Sequence, residues 1–234
     1  AQVLAARGMH NVQEAAAFLQ CDGLADPFLT ADMEAAAACI NTALDDGSRI
    51  CIYGDYDCDG VTATVILYSY LLEMGADVTY RIPERDEGYG LNVDAVHAMH
   101  EDGVGMTLVI TDHHQPLETL PKAAAIVDAH RADDTSPFHD LCGAGVALKL
   151  VAALDGGDTA MALEQFGELA AIATIADVVN LSGENRYLVQ LGLRLLANTE
   201  RVGLLALLEK SGLLGKSFTS TSVAFGIAPR INAA

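Results

Sequence analysis

Residues 49–75 read RICIYGDYDCDGVTATVILYSYLLEMG, and the order of residue types along them indicates the class of fold. Residues 49–53 form a short apolar run of β-favouring side chains, which predicts a strand. Residues 61–74 are apolar over a longer distance and are followed by Gly75, which predicts a helix that ends there. An acidic loop that contains Asp55, Asp57 and Asp59 lies between them. The stretch is therefore a strand, an acidic loop and a helix.

The alternation of strand and helix continues along the chain. Helices are predicted over residues 33–46 and 93–101, and strands over residues 77–82, 106–110 and 123–127. Beyond residue 140 the pattern becomes helical, over residues 145–154, 163–175, 185–196 and 201–208. Strands that alternate with helices are typical of a parallel sheet. The sequence thus predicts an α/β fold with a doubly wound, mainly parallel sheet flanked by helices, followed by a helical C-terminal segment.

Composition limits the class of protein. With 234 residues, of which 51% are hydrophobic, the chain can bury a sizeable core. Its apolar runs, such as residues 169–176, are far shorter than the roughly 20 residues of a membrane span, and no secretion signal is recognisable, so we expect no membrane partner. Five widely spaced cysteines without a C-x-x-C pair indicate reduced thiols in a cytoplasmic protein.

The formal net charge of −19 argues against a general electrostatic grip on nucleic acid, which needs clustered Lys and Arg. A polyanionic substrate would have to be held by another source of positive charge. Bound divalent cations are the obvious candidate, because gathered carboxylates repel each other unless a metal lies among them.

The acidic loop has the residue types and spacing of a cation site. A turn after the strand can converge the carboxylates of Asp55, Asp57 and Asp59 on one ion, and open α/β sheets bind ligands at the carboxyl ends of their strands. The D-x-D-x-D-G spacing is also how an EF-hand calcium loop begins, but Ile66 occupies the position that would need Glu, and a strand precedes the loop. A solvated turn with one capping Asp would explain one carboxylate and not three.

Asp112-His113-His114 follows a second apolar strand, so in a parallel sheet it would lie on the same edge as the acidic loop. Carboxylate and imidazole together suit manganese, iron, zinc or cobalt, and carboxylate-rich sites also accept magnesium. We favour manganese, with magnesium next.

Asp177 ends a long apolar helix, where a buried carboxylate is costly without a partner, so it needs a cation or a helix end. The other histidines considered have weaker support as ligands. His97 and His100 are predicted to lie on the surface of a helix, and His130 and His139 fall in a polar loop without a supporting pattern.

Several motifs in order resemble the RecJ branch of the DHH phosphoesterase family. They are GDYDCDGVTAT (54–64), PERDEGYGLN (83–92), TDHHQP (111–116), LCGAGVALKL (141–150), IATIADVVNLSGENR (172–186) and APRINAA (228–234). The resemblance covers nearly the whole chain from about residue 26 onward. It implies a core domain over residues 26–182, preceded by a helical extension over residues 1–25 and followed by a helical linker over residues 183–234 toward a second domain that is missing here.

The resemblance also implies the site residues. Asp57, Asp59, Asp112 and Asp177 would be carboxylate ligands and His113 a further ligand, while Asp55 would bind metal or orient a neighbour. His114 would bind metal or act on the phosphate. Residues expected near substrate are Gly143, Gly145, Arg230 and Asn232.

The implied activity is a metal-dependent 5′-to-3′ exonuclease on single-stranded DNA that releases 5′-mononucleotides in DNA repair and recombination. Two divalent ions, about 3.5–4 Å apart, would activate water and stabilise the leaving oxygen. Two alternatives stay open. One is a phosphoesterase for short oligonucleotides or nucleotide phosphates, and the other is an inactive DNA-binding scaffold of the same fold.

This sequence departs from the family pattern in two places. RecJ proteins carry a further strand with a metal-binding aspartate before the strand predicted at residues 106–110, whereas here Val104 and Gly105 lead directly into it. Either the segment is deleted or this sequence omits part of the natural chain. We favour omission, because excision of a core strand should not leave a foldable sheet. The second departure is the absence of the C-terminal domains that complete DNA binding in the family.

Overall fold

The computed structural model describes residues 2–19, 23–88, 90–105 and 107–233. The helices and strands, numbered in chain order, are α1 (Gln2–Ala6), α2 (Val12–Leu19), α3 (Met33–Asp45), β1 (Ile50–Tyr53), α4 (Cys58–Glu73), β2 (Val78–Arg81), α5 (Val93–Glu101), β3 (Val109–Thr111), β4 (Ala125–Val127), α6 (Gly143–Leu154), α7 (Thr159–Ala176), α8 (Gly183–Leu196), α9 (Val202–Lys210), α10 (Ser220–Gly226) and α11 (Ala228–Ile231). A short 3-10 helix, Pro27–Leu29, precedes α3.

The α/β class and the parallel strands are confirmed. β1 pairs in parallel with β2, with Tyr53 opposite Arg81, and β3 pairs in parallel with β4, with Thr111 opposite Val127. Because paired parallel strands end at the same edge, the acidic loop after β1 and the residues after β3 and β4 leave their sheets at carboxyl ends, where α/β folds place ligands.

The four strands form two separate two-stranded sheets and not one continuous sheet. The chain leaves α5 through Val104, and the backbone N–H of Gly105 approaches the carbonyl of Arg49 at 3.5 Å, close to the start of β1. The structure therefore has no strand between α5 and β3 in its described part. Met106, where the predicted strand begins, lies outside the described residues.

Two apolar helices form the core that supports the site. Residues 144–153 of α6 are all buried, and so are residues 166–175 of α7. Small residues allow close packing of α7 against α8: a Cβ added at Gly192 would lie 2.2 Å from the Cβ of Ala171. α4 packs on both α6 and α7, which fixes its N-terminal turn over the start of α6.

The predicted helical segment after residue 182 is present as α8 to α11. Residues 218–234, which show no clear periodicity, contain α10 and α11, and Thr219 and Ser222 form a capping box at the start of α10. No helix of the described chain combines the length and apolar character that a membrane crossing requires. The domain boundaries at residues 25/26 and 182/183 stay predictions; residues 20–22 and 234 lie outside the described part.

Candidate metal centre

The acidic loop is shaped by the start of α4. The side chain of Asp57 caps this helix by accepting a 2.7 Å hydrogen bond from the backbone N–H of Gly60. Capping satisfies a helix N–H that otherwise has no partner. A Cβ at Gly60 would lie within 2.7 Å of the backbone of Asp55, so the tight turn requires glycine there. Asp59 thereby falls in the first turn of α4.

Asp59 connects α4 to the N-terminus of α6. Its side chain is buried and accepts hydrogen bonds from the backbone N–H groups of Gly143, at 2.7 Å, and Ala144, at 2.8 Å. The free N–H groups of a helix N-terminus favour an anion, which makes this a stable place for a buried carboxylate. A Cβ at Gly143 would lie 2.7 Å from the Asp59 Oδ2 atom, so the close approach depends on glycine.

Asp59, His113 and Asp177 converge on one point. The His113 Nε2 atom is 3.3 Å from Asp59 Oδ2, and its Nδ1 atom is 3.7 Å from Asp177 Oδ2. One ligand atom from each of the three residues lies within 4.8 Å of the others. Two carboxylate oxygens and an imidazole nitrogen are a donor set for manganese and related divalent cations. The structure thus joins three of the predicted ligands, from α4, the loop after β3 and the end of α7.

Asp177 reaches this point from the C-terminal end of α7. Burial raises the pKa of its carboxyl group. The attraction of His113 lowers this pKa and the charges of Asp59 and Asp57 raise it, so that it stays above its usual value. The next residue, Val178, has φ of +60°. A left-handed conformation is unfavourable for a β-branched residue. The turn that directs Asp177 into the site is therefore strained.

Asp112 and His114 form a pair beside this group. The Oδ1 atom of Asp112 accepts hydrogen bonds from the backbone N–H groups of His113, at 2.7 Å, and His114, at 3.0 Å, and lies 2.9 Å from His114 Nδ1. Burial alone would raise the pKa of Asp112, but these hydrogen bonds outweigh it and the pKa is lowered. The hydrogen bond to Asp112 raises the pKa of His114.

Within the described chain, Asp55, Asp57 and Asp112 lie outside the three-residue group. Asp55 is electrostatically close to Asp57, Asp59 and His114, and burial, followed by its acidic neighbours, raises its pKa. Roles for these three residues as ligands, and for His114 at the phosphate, stay predictions.

Each residue predicted to contact substrate has an internal role. Gly143 approaches Asp59, and Gly145 packs closely on Leu141. Arg230 donates to the carbonyl of Gly226, at 2.6 Å. The Asn232 Oδ1 atom accepts a 2.6 Å hydrogen bond from the backbone N–H of Cys58, in the acidic loop. Their contacts to substrate stay predictions.

Cys58 is not a competing nucleophile. Burial and the neighbouring charges of Asp59 and Asp57 raise its pKa to about 12, so the thiol stays protonated at neutral pH. A thiolate is the reactive form of cysteine, so this residue is inert.

A cavity of about 410 Å³ opens beside the centre. Its described lining consists of His113, His114, His130, Asp140, Leu141, Asp177, Val179 and Asn180. His130, which is predicted to lie in a polar loop, is therefore next to the predicted ligands. The signal that would have identified it is its position: Asp128-Ala129-His130 follows β4 as Asp112-His113-His114 follows β3.

Relatives named as RecJ match the whole chain. It is 38% identical over 258 positions to the single-stranded-DNA-specific exonuclease RecJ of Bacillus subtilis, covering 100% of this chain and 32% of the relative. It is 31% identical to the RecJ of Escherichia coli, covering 100% of this chain and 46% of the relative. The chain thus spans about a third to a half of the length of these relatives. The 258 positions exceed the 234 residues of this chain by 24, so the alignment contains positions at which this chain has no residue.

Solved RecJ structures have the same fold. A crystal structure of exonuclease RecJ bound to manganese matches with a TM-score of 0.74 and 35% identity, over 88% of this chain and 57% of that one. RecJ from Thermus thermophilus in complex with Mn²⁺ matches with a TM-score of 0.70 and 37% identity, over 88% of this chain and 33% of that one.

The family model described as the N-terminal domain of the DHH family matches residues 49–177, a range that begins just before β1 and ends at Asp177. It contains the acidic loop, the triplet after β3 and all three converging side chains. This chain therefore belongs to the DHH family.

Proposed function

We propose that this chain carries the catalytic site of a metal-dependent exonuclease that degrades single-stranded DNA from the 5′ end and releases 5′-mononucleotides, in DNA repair and recombination. The observation that carries the proposal is the convergence of Asp59, from the first turn of α4, His113, from the loop after β3, and Asp177, from the end of α7. The relatives that match the whole chain are named for action on single-stranded DNA.

The centre suits two divalent cations, with Mn²⁺ favoured and Mg²⁺ next. Asp59, His113 and Asp177 would hold one ion directly, and Asp55, Asp57 and Asp112 are the nearby carboxylates available for a second. When bound, such ions lower the pKa of a coordinated water and offset negative charge on the phosphate.

The residues of the chain then have distinct tasks. Asp57 shapes the loop by capping α4, and the N-terminus of α6 holds Asp59 through two backbone N–H groups. Asp112 orients His114 through the 2.9 Å contact to its Nδ1 atom. His114 also lines the cavity beside the centre, where it would act on the phosphate.

The net charge of −19 fits a site that depends on cations for its grip on the phosphate backbone. Further DNA contacts would come from the part of RecJ-like proteins that these 234 residues do not match. We place the protein in the cytoplasm, since Cys39, Cys51, Cys58 and Cys142 are all free thiols.

The test is degradation of a single-stranded oligonucleotide, labelled at its 3′ end, in Mn²⁺. Wild type should release unlabelled 5′-mononucleotides progressively, whereas Asp112→Ala and Asp177→Ala should release none. Asp94→Asn, on the exposed surface of α5, is the control and should act like wild type. Turnover by Asp112→Ala at the wild-type rate would contradict the proposal.

Two comparisons separate the alternatives. A faster rate on a dinucleotide than on a long single strand would indicate a phosphoesterase for short oligonucleotides. A genuine loss of the strand before β3, whose absence from the described chain leaves two separate sheets, would favour the inactive scaffold. Calorimetric titration with Mn²⁺ tests this, since a scaffold should bind no pair of ions.

A further inference from the structure

We propose that His130 is a further substrate-binding residue of this centre: it hydrogen-bonds a phosphate oxygen of the nucleotide in the cavity, and Asp128 is the positioning residue that holds its ring. The inference rests on the proposed phosphodiester chemistry and extends it to a residue pair outside the predicted ligand set.

The position of the pair is set by β4. Because β3 and β4 are parallel and in register, Asp112 follows one strand and Asp128 the other at the same edge. The backbone N–H of Asp112 donates to the carbonyl of Val127 at 3.0 Å, which extends the ladder up to these two residues. Asp128 and His130 therefore leave the sheet beside the residues that carry the metal centre.

Asp128 is buried and has no Lys or Arg as an ion-pair partner in the described structure. Its Oδ1 atom accepts a 2.8 Å hydrogen bond from the backbone N–H of His130 and lies 3.6 Å from the Nδ1 atom of that ring. A buried carboxylate is costly unless a hydrogen bond or a positive charge compensates it. The backbone N–H of His130 supplies one such hydrogen bond, which ties the Asp128 side chain to this residue.

The ring of His130 has unused hydrogen-bonding capacity. Its Nδ1 atom is fully buried and has no hydrogen-bond partner in the described structure. Asp128 Oδ1 lies on the Nδ1 side of the ring, so Nε2 is the ring nitrogen on the far side from Asp128. Nε2 is then the ring nitrogen left for a ligand in the cavity that His130 lines.

The proposed phosphodiester chemistry makes a phosphate that ligand. None of the described lining residues is Lys or Arg, so the side-chain N–H donors of the lining come from its histidines and Asn180. His113 contacts Asp59 and Asp177, and His114 contacts Asp112. His130 faces the same space from the neighbouring strand, so it can contact a phosphate oxygen that the metal centre leaves open.

The experiment measures binding of thymidine 5′-monophosphate to the full chain in Mg²⁺ by calorimetry, alongside Mg²⁺ binding itself. His130→Ala should weaken nucleotide affinity roughly tenfold or more, as expected for a lost hydrogen bond to a charged group, and should leave Mg²⁺ affinity unchanged. Asp128→Asn should weaken nucleotide affinity less. His130→Gln, which keeps an N–H donor, should recover part of the loss. The control is His97→Ala, on the exposed face of α5.

Equal nucleotide affinity in His130→Ala and wild type would overturn the inference. If His130→Ala does not fold, the ring ¹⁵N resonances of wild type test the inference instead, with His130→Gln used to assign the His130 signals. A shift of these signals when nucleotide is added supports the inference. Unchanged signals overturn it. Failure of the proposed function can be told apart from failure of this inference, because wild type itself would then show no metal-dependent cleavage. Failure of this inference would leave cleavage and metal binding intact in the His130 variants.

Discussion

The side chain of Asn232 accepts a 2.6 Å hydrogen bond from the backbone N–H of Cys58, a residue 174 positions earlier in the chain. Arg85 donates a 2.6 Å hydrogen bond to the carbonyl of Asn232, and its guanidinium lies 4.7 Å from the centre of the Tyr56 ring. The segment after α11 is thereby attached to the acidic loop at two points, on either side of Asp57.

Asn232→Ala should loosen that loop. The Cys58 N–H loses its acceptor at the start of α4, which should cost about 0.5–1.5 kcal/mol of unfolding free energy. Affinity for Mn²⁺ should fall as well, because Asp57 and Asp59 flank Cys58. Asn198→Ala removes only an exposed hydrogen bond to the Arg194 carbonyl and should change neither quantity. Urea unfolding and calorimetry would measure both, and unchanged Mn²⁺ affinity in Asn232→Ala would contradict the expectation.

Asp59→Asn and Asp177→Asn should have opposite effects on the metal-free protein. Asp59 accepts hydrogen bonds from two backbone N–H groups at the α6 N-terminus. Because an uncharged amide oxygen is a weaker acceptor than the carboxylate, Asp59→Asn should lower the free energy of unfolding by roughly 1–3 kcal/mol. Asp177 carries a negative charge at the C-terminal end of α7, where the helix dipole disfavours it, so Asp177→Asn should gain up to about 1 kcal/mol at neutral pH.

The pH dependence distinguishes the second effect. Because the folded-state pKa of Asp177 is raised, its ionisation costs stability above that pKa and costs nothing once the pH falls below the unfolded value near 3.8. The advantage of Asp177→Asn should therefore shrink as the pH is lowered from 7. An advantage that is constant with pH would show that charge is not its cause.

Val178→Asn should stabilise the protein by about 1 kcal/mol, because Asn tolerates the left-handed conformation that is unfavourable for Val. The Val178 side chain is 85% exposed, so its replacement sacrifices little packing. Val202, which is similarly exposed but lies at the start of α9, provides the control, and Val202→Asn should show no such gain. Thermal unfolding would decide, and a lower midpoint for Val178→Asn would mean that the Val side chain has packing contacts worth more than the strain.

Asp32→Asn should reveal an acid-sensitive contact between α3 and β4. Asp32 Oδ2 accepts hydrogen bonds from Arg131, at 2.6 Å, and from the backbone N–H of Ile126, at 3.1 Å, and the contact with Arg131 lowers the pKa of Asp32. Its stabilisation is present above the unfolded pKa near 3.8 and is lost as the pH falls through the lower folded pKa.

Since the side chain of Asp32 is 39% exposed, Asp32→Asn should lower the free energy of unfolding at pH 6 by no more than about 1 kcal/mol. Asn is suited to this position because Asp32 has φ of +58°. Asp133→Asn removes the more exposed partner of the same Arg131 and should have a smaller effect. Urea midpoints at pH 6 and pH 3 would test this, and a difference between variant and wild type that is as large at pH 3 as at pH 6 would contradict the linkage.

Most of the helices and strands, and their order, are predictable from local patterns in the sequence. The apolar runs before Asp55 and Asp112 predict β1 and β3, and the apolar helix that ends at Asp177 is α7. These signals are local, because strand and helix periodicity and helix ends depend on neighbouring residues. The same signals placed the acidic loop and the triplet after β3 at strand ends, and the motifs identified the family.

Which of these side chains meet depends on how the helices and strands pack in three dimensions. Asp59 lies 84 positions before Gly143, and their contact depends on how α4 packs on α6. Packing also keeps Asp112 outside the group of Asp59, His113 and Asp177. It places His130, from a polar loop without a recognisable motif, at the cavity. It also brings Asn232 into contact with the acidic loop. Such contacts join residues far apart in the chain, and their geometry follows from the shapes of buried helices and not from any pattern within one segment.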